Sequence, residues 1–294
     1  MNTSVEKEIF FQEEDLIVSM TDAKGTIVYA NDIFCKIAGY SRAELLGEAH
    51  NIVRHPSMPR VVFKLLWETV LGGKSITAFV KNKTKDGNYY WVKAYVAPIV
   101  EDAKIVSITS YRRPISEFIK KEISKVYGVL LEHERTHTLN ETMEFFLAFL
   151  KERNLSYEQF IDRLALGHSI SSPEALSIDV DNYYIDHVIF KTALTRSLAL
   201  GKKDVEVTES CCCNFGKKLK TLEGMAFTQH PSWLKVHHYH NHVHELMKNY
   251  VSRAQKEAST DELHAILAKV ETDTFKLFET LNEVIDTYVE EKGM

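Results

Sequence analysis

Apolar and polar positions follow two different periods along this chain. In the first part, short apolar runs at 16–20 and 27–30 are separated by Ala23-Lys24-Gly25, a pattern typical of a β-hairpin. Similar runs, which predict three further strands, end this part of the chain at 76–83, 89–99 and 104–111. The pattern therefore predicts five strands, two before and three after a stretch of helical character.

That intervening stretch carries helix-start signals rather than strand alternation. Asn31-Asp32 is a suitable cap, and Ser41 stands three residues before Glu44, which is the spacing of a capping box. A longer helix is predicted over 60–71, where apolar residues share one face and Gly72-Gly73 provides the end. Residues 8–115 are thus predicted to form one domain with an antiparallel sheet and helices.

From residue 116 onward the apolar spacing is helical throughout. A helix is predicted from about residue 116 to 131, and capping-box spacings predict two shorter helices before the pattern breaks near Gly167 to Pro173. Four amphipathic helices follow, at about 178–200, from Cys213, at 233–256 and from Ser259. We therefore predict an α+β protein with three parts: a domain at 8–115, a helical connector at 116–176 and an all-α four-helix bundle at 177–292.

Composition narrows the function classes. A chain of 294 residues with 45% hydrophobic side chains is long enough for two cores, and its formal net charge of −5 provides no basic surface for nucleic acid. The sequence has no run of about 18 apolar residues that would predict membrane insertion. Its acidic amino terminus lacks the features of a secretion signal. These features indicate a cytoplasmic protein.

Thiol and imidazole side chains in the last part of the chain have spacings that suit a metal. Zinc favours four ligands from cysteine sulfur and histidine nitrogen, and His240 and His244 are four residues apart on one predicted helix face. Cys213 and the upstream His187 complete the candidate set. A reducing compartment would keep such cysteines available as thiolates.

Two alternatives to this ligand set stay open at the level of the sequence. His238 and His242 have the same four-residue spacing as the preferred pair. Cys211 and Cys212 directly precede Cys213, so that each is a second candidate for the sulfur ligand.

The first domain resembles a known family in its motifs. Its element order is that of a PAS domain, and its sequence is similar to the PAS domain of bacterial aerotaxis receptors at 22–27, 30–31, 39–47, 51–59, 67, 80–87 and 90–92. The 51–59 stretch contains Arg54-His55-Pro56-Ser57-Met58-Pro59, in which Ser57 replaces the usual aspartate of the family. The resemblance implies noncovalent FAD and redox sensing, with Arg54, His55, Trp67 and Asn82 at the flavin. A pocket that is empty or holds another ligand is the alternative.

The last domain resembles a second family. His187, then Cys213-x-Phe215-Gly216, then His240-x-x-x-His244 follow the pattern of the chemoreceptor zinc-binding domain. Two positions depart from that pattern. Lys217-Lys218 replaces the apolar residue expected after the glycine, and the aromatic residue expected just after the first histidine appears as Phe190, with Ile189 before it. The resemblance implies that His187, Cys213, His240 and His244 bind zinc.

These observations favour a sensor over an enzyme. Four protein ligands fill a tetrahedral zinc shell and leave no position for an activated water, and the chain has no phosphate-binding loop, H-E-x-x-H, kinase or G-x-S-x-G motif. We expect a signalling protein of the chemotaxis or energy-taxis type that senses redox state through its PAS domain, and zinc or oxidants through a zinc thiolate. Its output would be binding to a chemotaxis receptor or another signalling protein, and a homodimer is expected. The alternative is a zinc-buffering or structural zinc protein in which the PAS module serves dimerisation.

Overall fold

The structure, a computed structural model, describes residues 6–12, 15–101, 104–165, 180–199, 201–202 and 205–292. The chain divides into two compact units, Met1–Ile178 and Asp179–Met294. The interruption predicted near Gly167 to Pro173 lies outside the described residues.

A five-stranded antiparallel sheet forms the centre of the first unit. Its strands are β1 (Ile17–Thr21), β2 (Ile27–Ala30), β3 (Ile76–Lys83), β4 (Tyr89–Glu101) and β5 (Lys104–Arg113). Their order across the sheet is β2-β1-β5-β4-β3, so that the predicted hairpin lies at one edge and β3 at the other. The register places Ser19 of β1 opposite Ser110 of β5, and Val80 of β3 opposite Val92 of β4. The predicted α+β class with a five-stranded antiparallel sheet is confirmed.

Six α-helices and one 3₁₀ segment, His50–Val53, in the described part of the first unit accompany this sheet. The α-helices are α1 (Asp32–Ala38), α2 (Arg42–Leu45), α3 (Arg60–Leu71), α4 (Glu117–Glu134), α5 (Leu139–Lys151) and α6 (Tyr157–Ala165). The bounds predicted for α3 are confirmed, and the capping box of Ser41 and Glu44 is present at the start of α2. Buried side chains of α4 to α6 belong to the same apolar core as the sheet. The helices predicted as a connector therefore cover the domain that precedes them.

The second unit is helical, as predicted. Its α-helices in the described residues are α7 (Val180–Ala199), α8 (Asn214–Leu222), α9 (Trp233–Gln255) and α10 (Thr260–Lys292). Two short 3₁₀ segments, Ser210–Cys212 and Ala226–Gln229, stand before α8 and α9. One apolar cluster joins α7, α9 and α10 through Leu194, Met247 and Val270 among others. Within the described residues, no helix combines the length and apolarity needed to cross a bilayer.

Candidate metal centre and cofactor cavity

Four side chains of the second unit converge on one point. His187 comes from α7, Cys213 from the residue before α8, and His240 and His244 from successive turns of α9. One ligand atom from each lies within 4.8 Å of the ligand atoms of the other three. Residues 187 and 244 are far apart in sequence, so this arrangement depends on the packing of three separate segments. Among the described residues, no other group of three or more such side chains meets the same criterion.

Backbone carbonyls orient two of the imidazole rings. Nδ1 of His187 donates to the carbonyl of Tyr183 at 2.8 Å, and Nδ1 of His244 donates to the carbonyl of Thr208 at 2.7 Å. A proton on Nδ1 leaves the lone pair on Nε2, and both Nε2 atoms are buried without a hydrogen-bond partner. A carbonyl on one ring nitrogen and an open second nitrogen is the usual arrangement around a metal-bound histidine. The two unpartnered nitrogens therefore fit a metal ion.

The sulfur ligand is positioned by the start of α8. Sγ of Cys213 accepts a hydrogen bond from the backbone N–H of Gly216 at 3.2 Å and lies 3.2 Å from Nε2 of His240. Gly216 makes this local geometry achievable, because a Cβ atom there would lie 1.8 Å from the carbonyl oxygen of Ser210. The glycine of the C-x-F-G motif thus lets the preceding turn fold tightly against the helix that Cys213 caps.

Burial controls the protonation of the cluster. It lowers the pKa of His187 to about 4 and that of His240 to about 2, and it also lowers the pKa of His244. Burial raises the pKa of the Cys213 thiol, against the opposing effect of the Gly216 N–H. Three neutral imidazoles are ready to bind a cation, whereas the thiol must release its proton when a metal binds.

Aromatic rings close the centre. Phe215 of α8 and Phe278 of α10 pack edge-on against the His187 ring, with centroids 5.7 Å and 5.3 Å away, and Phe190 lies 5.1 Å from the ring of His244. Phe278 was not singled out by sequence reasoning, because its apolar spacing on α10 is that of any core residue. The donor set of one sulfur and three nitrogens consists of the ligand types that zinc takes in tetrahedral protein sites, and it contains no carboxylate.

The structure separates this set from its alternatives. His238 is exposed, and Nδ1 of His242 pairs with the carboxylate of Asp273 at 2.6 Å. Cys211 and Cys212 are exposed, whereas Cys213 is half-buried. The preferred register and the preferred cysteine are the ones that meet at the cluster.

The first unit contains a cavity of about 410 Å³ between the sheet and the α3 side of the domain. Arg54, Trp67 and Asn82, three of the four residues predicted at a cofactor, line it. Trp67 lies close to the turn between β1 and β2, where Gly25 has φ of +88° and where an added Cβ would lie 2.9 Å from the indole. Arg54 is fixed by donating to the carbonyl of Met58 at 2.9 Å.

His55, the fourth residue predicted at the cofactor, is directed elsewhere. Its Nδ1 lies 2.7 Å from Oγ of Ser57, and its Nε2 lies 3.0 Å from a carboxylate oxygen of Glu6. The ring therefore faces the amino-terminal segment, and it is not among the residues that line the cavity. The hydroxyl of Ser57 thus orients the His55 ring.

Sequence reasoning missed the most informative residue of the cavity. Arg112 of β5 is 2% exposed, and its Nε and Nη1 are buried without a partner, while Nη2 donates to Oγ of Ser19. Burial lowers the pKa of Arg112 to about 10. The cavity is lined by five cationic residues and by no carboxylate; the cations are Lys24, Arg54, Arg60, Lys64 and Arg112. A buried charge without a partner is costly, so the cavity suits an anionic group that would pair with Arg112.

Comparisons with known proteins agree with the fold of the first unit. Residues 27–112 match the family model of the PAS fold. Over 118 residues the chain is 40% identical to the aerotaxis receptor of Escherichia coli (strain K12), a match that covers 40% of this chain and 23% of the receptor. Over 89 residues it is 30% identical to the nitrogen fixation regulatory protein of Klebsiella oxytoca, covering 30% of this chain and 18% of that protein. Over 103 residues it is 24% identical to the biofilm dispersion protein BdlA of Pseudomonas aeruginosa, covering 34% of this chain and 25% of that protein.

The chain spans a quarter or less of the length of these relatives, and the match to the family model lies in its amino-terminal part. Residues 27–112 of the first unit therefore have the PAS fold, and the chain is similar over part of its length to signalling receptors and regulators.

Proposed function

We propose that this chain is a bacterial signalling protein with two sensory inputs. The first is a PAS domain that holds FAD and responds to redox state. The second is a zinc centre of the chemoreceptor zinc-binding type, made by His187, Cys213, His240 and His244, which responds to zinc or oxidants. The output is binding to a chemotaxis receptor or to another signalling protein.

The observation that carries the proposal is the convergence of the four ligand atoms within 4.8 Å, with Nε2 of His187 and of His244 buried and unpartnered. A buried imidazole nitrogen without a partner costs about 1–3 kcal/mol in desolvation. Two such nitrogens beside a thiol would be a substantial cost for a protein that does not bind a metal. Zinc is favoured over magnesium or calcium because the cluster offers no oxygen ligand.

The chemistry of this centre is that of a sensor. A zinc ion held by these residues would supply a sulfur that stays deprotonated and open to oxidants. The three imidazoles and the Gly216 N–H would hold the geometry around that sulfur. Because all four positions are taken by protein, no site is left for a substrate water, and hydrolysis is disfavoured.

The cavity of the PAS domain supports the flavin part of the proposal. The five cationic side chains that line it, Arg112 above all, would pair with a pyrophosphate or with an anionic reduced ring. Trp67 and the apolar residues Val80 and Val96 would supply the apolar walls that a ring system needs. The 40% identity to an aerotaxis receptor agrees with the resemblance from which the flavin is inferred.

Metal analysis of the purified native protein tests the zinc centre. We expect one zinc per chain, and we expect Cys213→Ala and His244→Ala each to lose most of it. His242→Asn is the matched control, because His242 lies on the same helix but pairs with Asp273 outside the cluster. Full zinc content in both ligand variants would contradict the ligand assignment.

An absorption spectrum tests the flavin. We expect a flavin band in native protein and a large loss of flavin in Arg112→Met. Without flavin, this variant should be no less stable than flavin-free wild type, because the methionine removes an unpaired buried charge. Lys36→Met, an exposed change of the same charge on α1, is the control and keeps its flavin. Flavin retention equal to wild type in Arg112→Met would contradict the role of Arg112.

A further inference from the structure

Two thiols outside the metal cluster lie side by side on the protein surface. Cys211 and Cys212 belong to the 3₁₀ turn Ser210–Cys212, both are exposed, and their Sγ atoms are 3.3 Å apart without a covalent bond. Neither is needed as a metal ligand, since Cys213 contributes the sulfur of the cluster. Both thiols are therefore free of the four-residue cluster.

The turn that carries these thiols also builds the metal centre. The carbonyl of Thr208 orients the His244 ring, and the carbonyl of Ser210 lies 3.3 Å from Sγ of Cys213. The carbonyl of Glu209 accepts from the N–H groups of Cys212 and Cys213, at 2.9 Å and 3.2 Å. Residues 208–213 thus position one ligand and provide another. A change of backbone geometry at Cys211 and Cys212 must act on both.

We propose that Cys211 and Cys212 form a redox-active vicinal dithiol, oxidised by two-electron oxidants of the peroxide class, whose oxidation loosens the metal centre. The thiolate of one cysteine attacks the peroxide O–O bond, giving a sulfenic acid and one water after protonation. The second thiol then attacks that sulfur, the S–S bond forms, and a second water leaves. One dithiol and one hydrogen peroxide yield one disulfide and two waters, and two electrons pass to the peroxide.

Geometry makes this disulfide a reversible one. The sulfur atoms must approach from 3.3 Å to about 2.05 Å. The Cα atoms of adjacent residues are about 3.8 Å apart, which is shorter than the range of about 4.4–6.8 Å usual for a disulfide. Strained and exposed disulfides are the ones that are easily reduced again. The product is therefore a switch rather than a structural bond.

Strain in this disulfide would act directly on the residues of the metal cluster. The Ser210 carbonyl is already packed so tightly against the start of α8 that a Cβ at Gly216 would collide with it. Closing the eight-membered ring at Cys211 and Cys212 must displace that carbonyl or Cys213, because both adjoin the ring. This part of the inference rests on the proposed zinc centre. Oxidation of the dithiol then lowers the affinity for zinc without oxidation of Cys213 itself.

The experiment uses the zinc-loaded full chain treated with stoichiometric hydrogen peroxide. Free thiols are alkylated after chelation of the metal, and the peptide that carries the three cysteines is analysed by mass spectrometry before and after reduction. We expect Cys213 to be alkylated, and Cys211 and Cys212 to be linked and to become free on reduction. In parallel, a chromogenic chelator follows zinc release, which we expect to be several-fold slower in Cys211→Ser and in Cys212→Ser than in wild type. Cys35→Ser is the control with wild-type release.

The outcomes separate this inference from the proposed function. Zinc-loaded protein in which the first disulfide includes Cys213, or in which no disulfide forms, overturns the dithiol. Equal rates of zinc release in wild type and in both serine variants overturn the coupling. A wild-type chain that forms the Cys211–Cys212 bond but never holds zinc supports the dithiol, overturns the coupling and contradicts the proposed zinc centre.

Discussion

His50 is a single residue whose protonation links the cavity of the PAS domain to its stability. The ring lines the cavity, and its Nε2 lies 3.0 Å from Oγ of Ser19, the hydroxyl that also accepts from Arg112. Burial, and then the charge of Arg112, lower the pKa of His50 to about 3. An unfolded histidine has a pKa of about 6.5. The unfolded chain therefore binds the proton first as the pH falls, and the folded state loses stability below pH 6.5.

The predicted effect of this histidine is about 2 kcal/mol of stability lost between pH 7 and pH 5. It is measured by denaturant unfolding in a Trp233→Phe background, where Trp67 and Trp91 of the first unit are the remaining tryptophans. His50→Asn should lack this share of the pH dependence, while His137→Asn, an exposed change, should keep it. A pH slope equal in wild type and His50→Asn would show that His50 is not held neutral.

At the scale of single residues, the sequence predicted cavity residues only where they belong to a motif. Arg54, Trp67 and Asn82 were predicted to lie together because they occur in recognisable stretches, and the structure places all three at the cavity. Arg112 carries no such mark. It occupies a strand position next to another arginine, and only the strand register decides which of the two side chains turns inward. Likewise, no pattern in the sequence predicts that the Glu6 carboxylate pairs with the His55 ring.

The start of α8 is the element on which the geometry of the candidate metal centre depends most. Gly216→Ala would place a methyl group 1.8 Å from the Ser210 carbonyl, so the 3₁₀ turn or the helix must move, and Cys213 moves with it. Changes that disturb ligand orientation typically reduce metal affinity roughly 10–100-fold. We expect a loss in that range, measured by competition with a zinc-binding dye.

Gly128→Ala is the matched control for that change. Gly128 lies in the α4 helix, and an added Cβ there meets no atom within 4 Å. Alanine is also the better helix former, so this variant should be as stable as wild type or slightly more stable, with unchanged zinc affinity. Wild-type affinity in Gly216→Ala would mean that the tight turn is not required for the ligand geometry.

Elements were predicted well where their signals are local. The bounds of α3 follow from one apolar face and from Gly72-Gly73, and the starts of α2 and α5 follow from capping boxes that the structure contains. The packing of α4 to α6 against the sheet core was not foreseen, since amphipathic spacing shows that a face is buried but does not name the surface that buries it.

For the whole molecule, removal of the metal should act on the unit that holds the ligands. A ligand present at about 1,000 times its Kd stabilises the folded state by about 4 kcal/mol. Chelation should therefore increase hydrogen exchange in α7, α8 and α9, which bring the four ligands together. The sheet of the first unit serves as the internal reference in the same sample. Unchanged exchange in these three helices after complete chelation would contradict a stabilising metal.

The scale of the whole chain is also where the sequence alone was weakest. Periodicity indicated helices in the last part of the chain, and a family resemblance supplied the order of the ligands. Neither shows how the chain brings His187 next to His240 and His244, which are more than 50 residues away. That contact depends on how α7, α9 and α10 share their apolar faces around Leu194, Met247 and Val270.

X-ray absorption spectroscopy at the zinc edge of the native protein tests the central claim most directly, because it reports the ligands of the ion itself. The account predicts one sulfur at about 2.3 Å and three nitrogens at about 2.0–2.1 Å. A shell with two or more sulfurs, a shell of oxygen ligands, or protein that retains no zinc would contradict it.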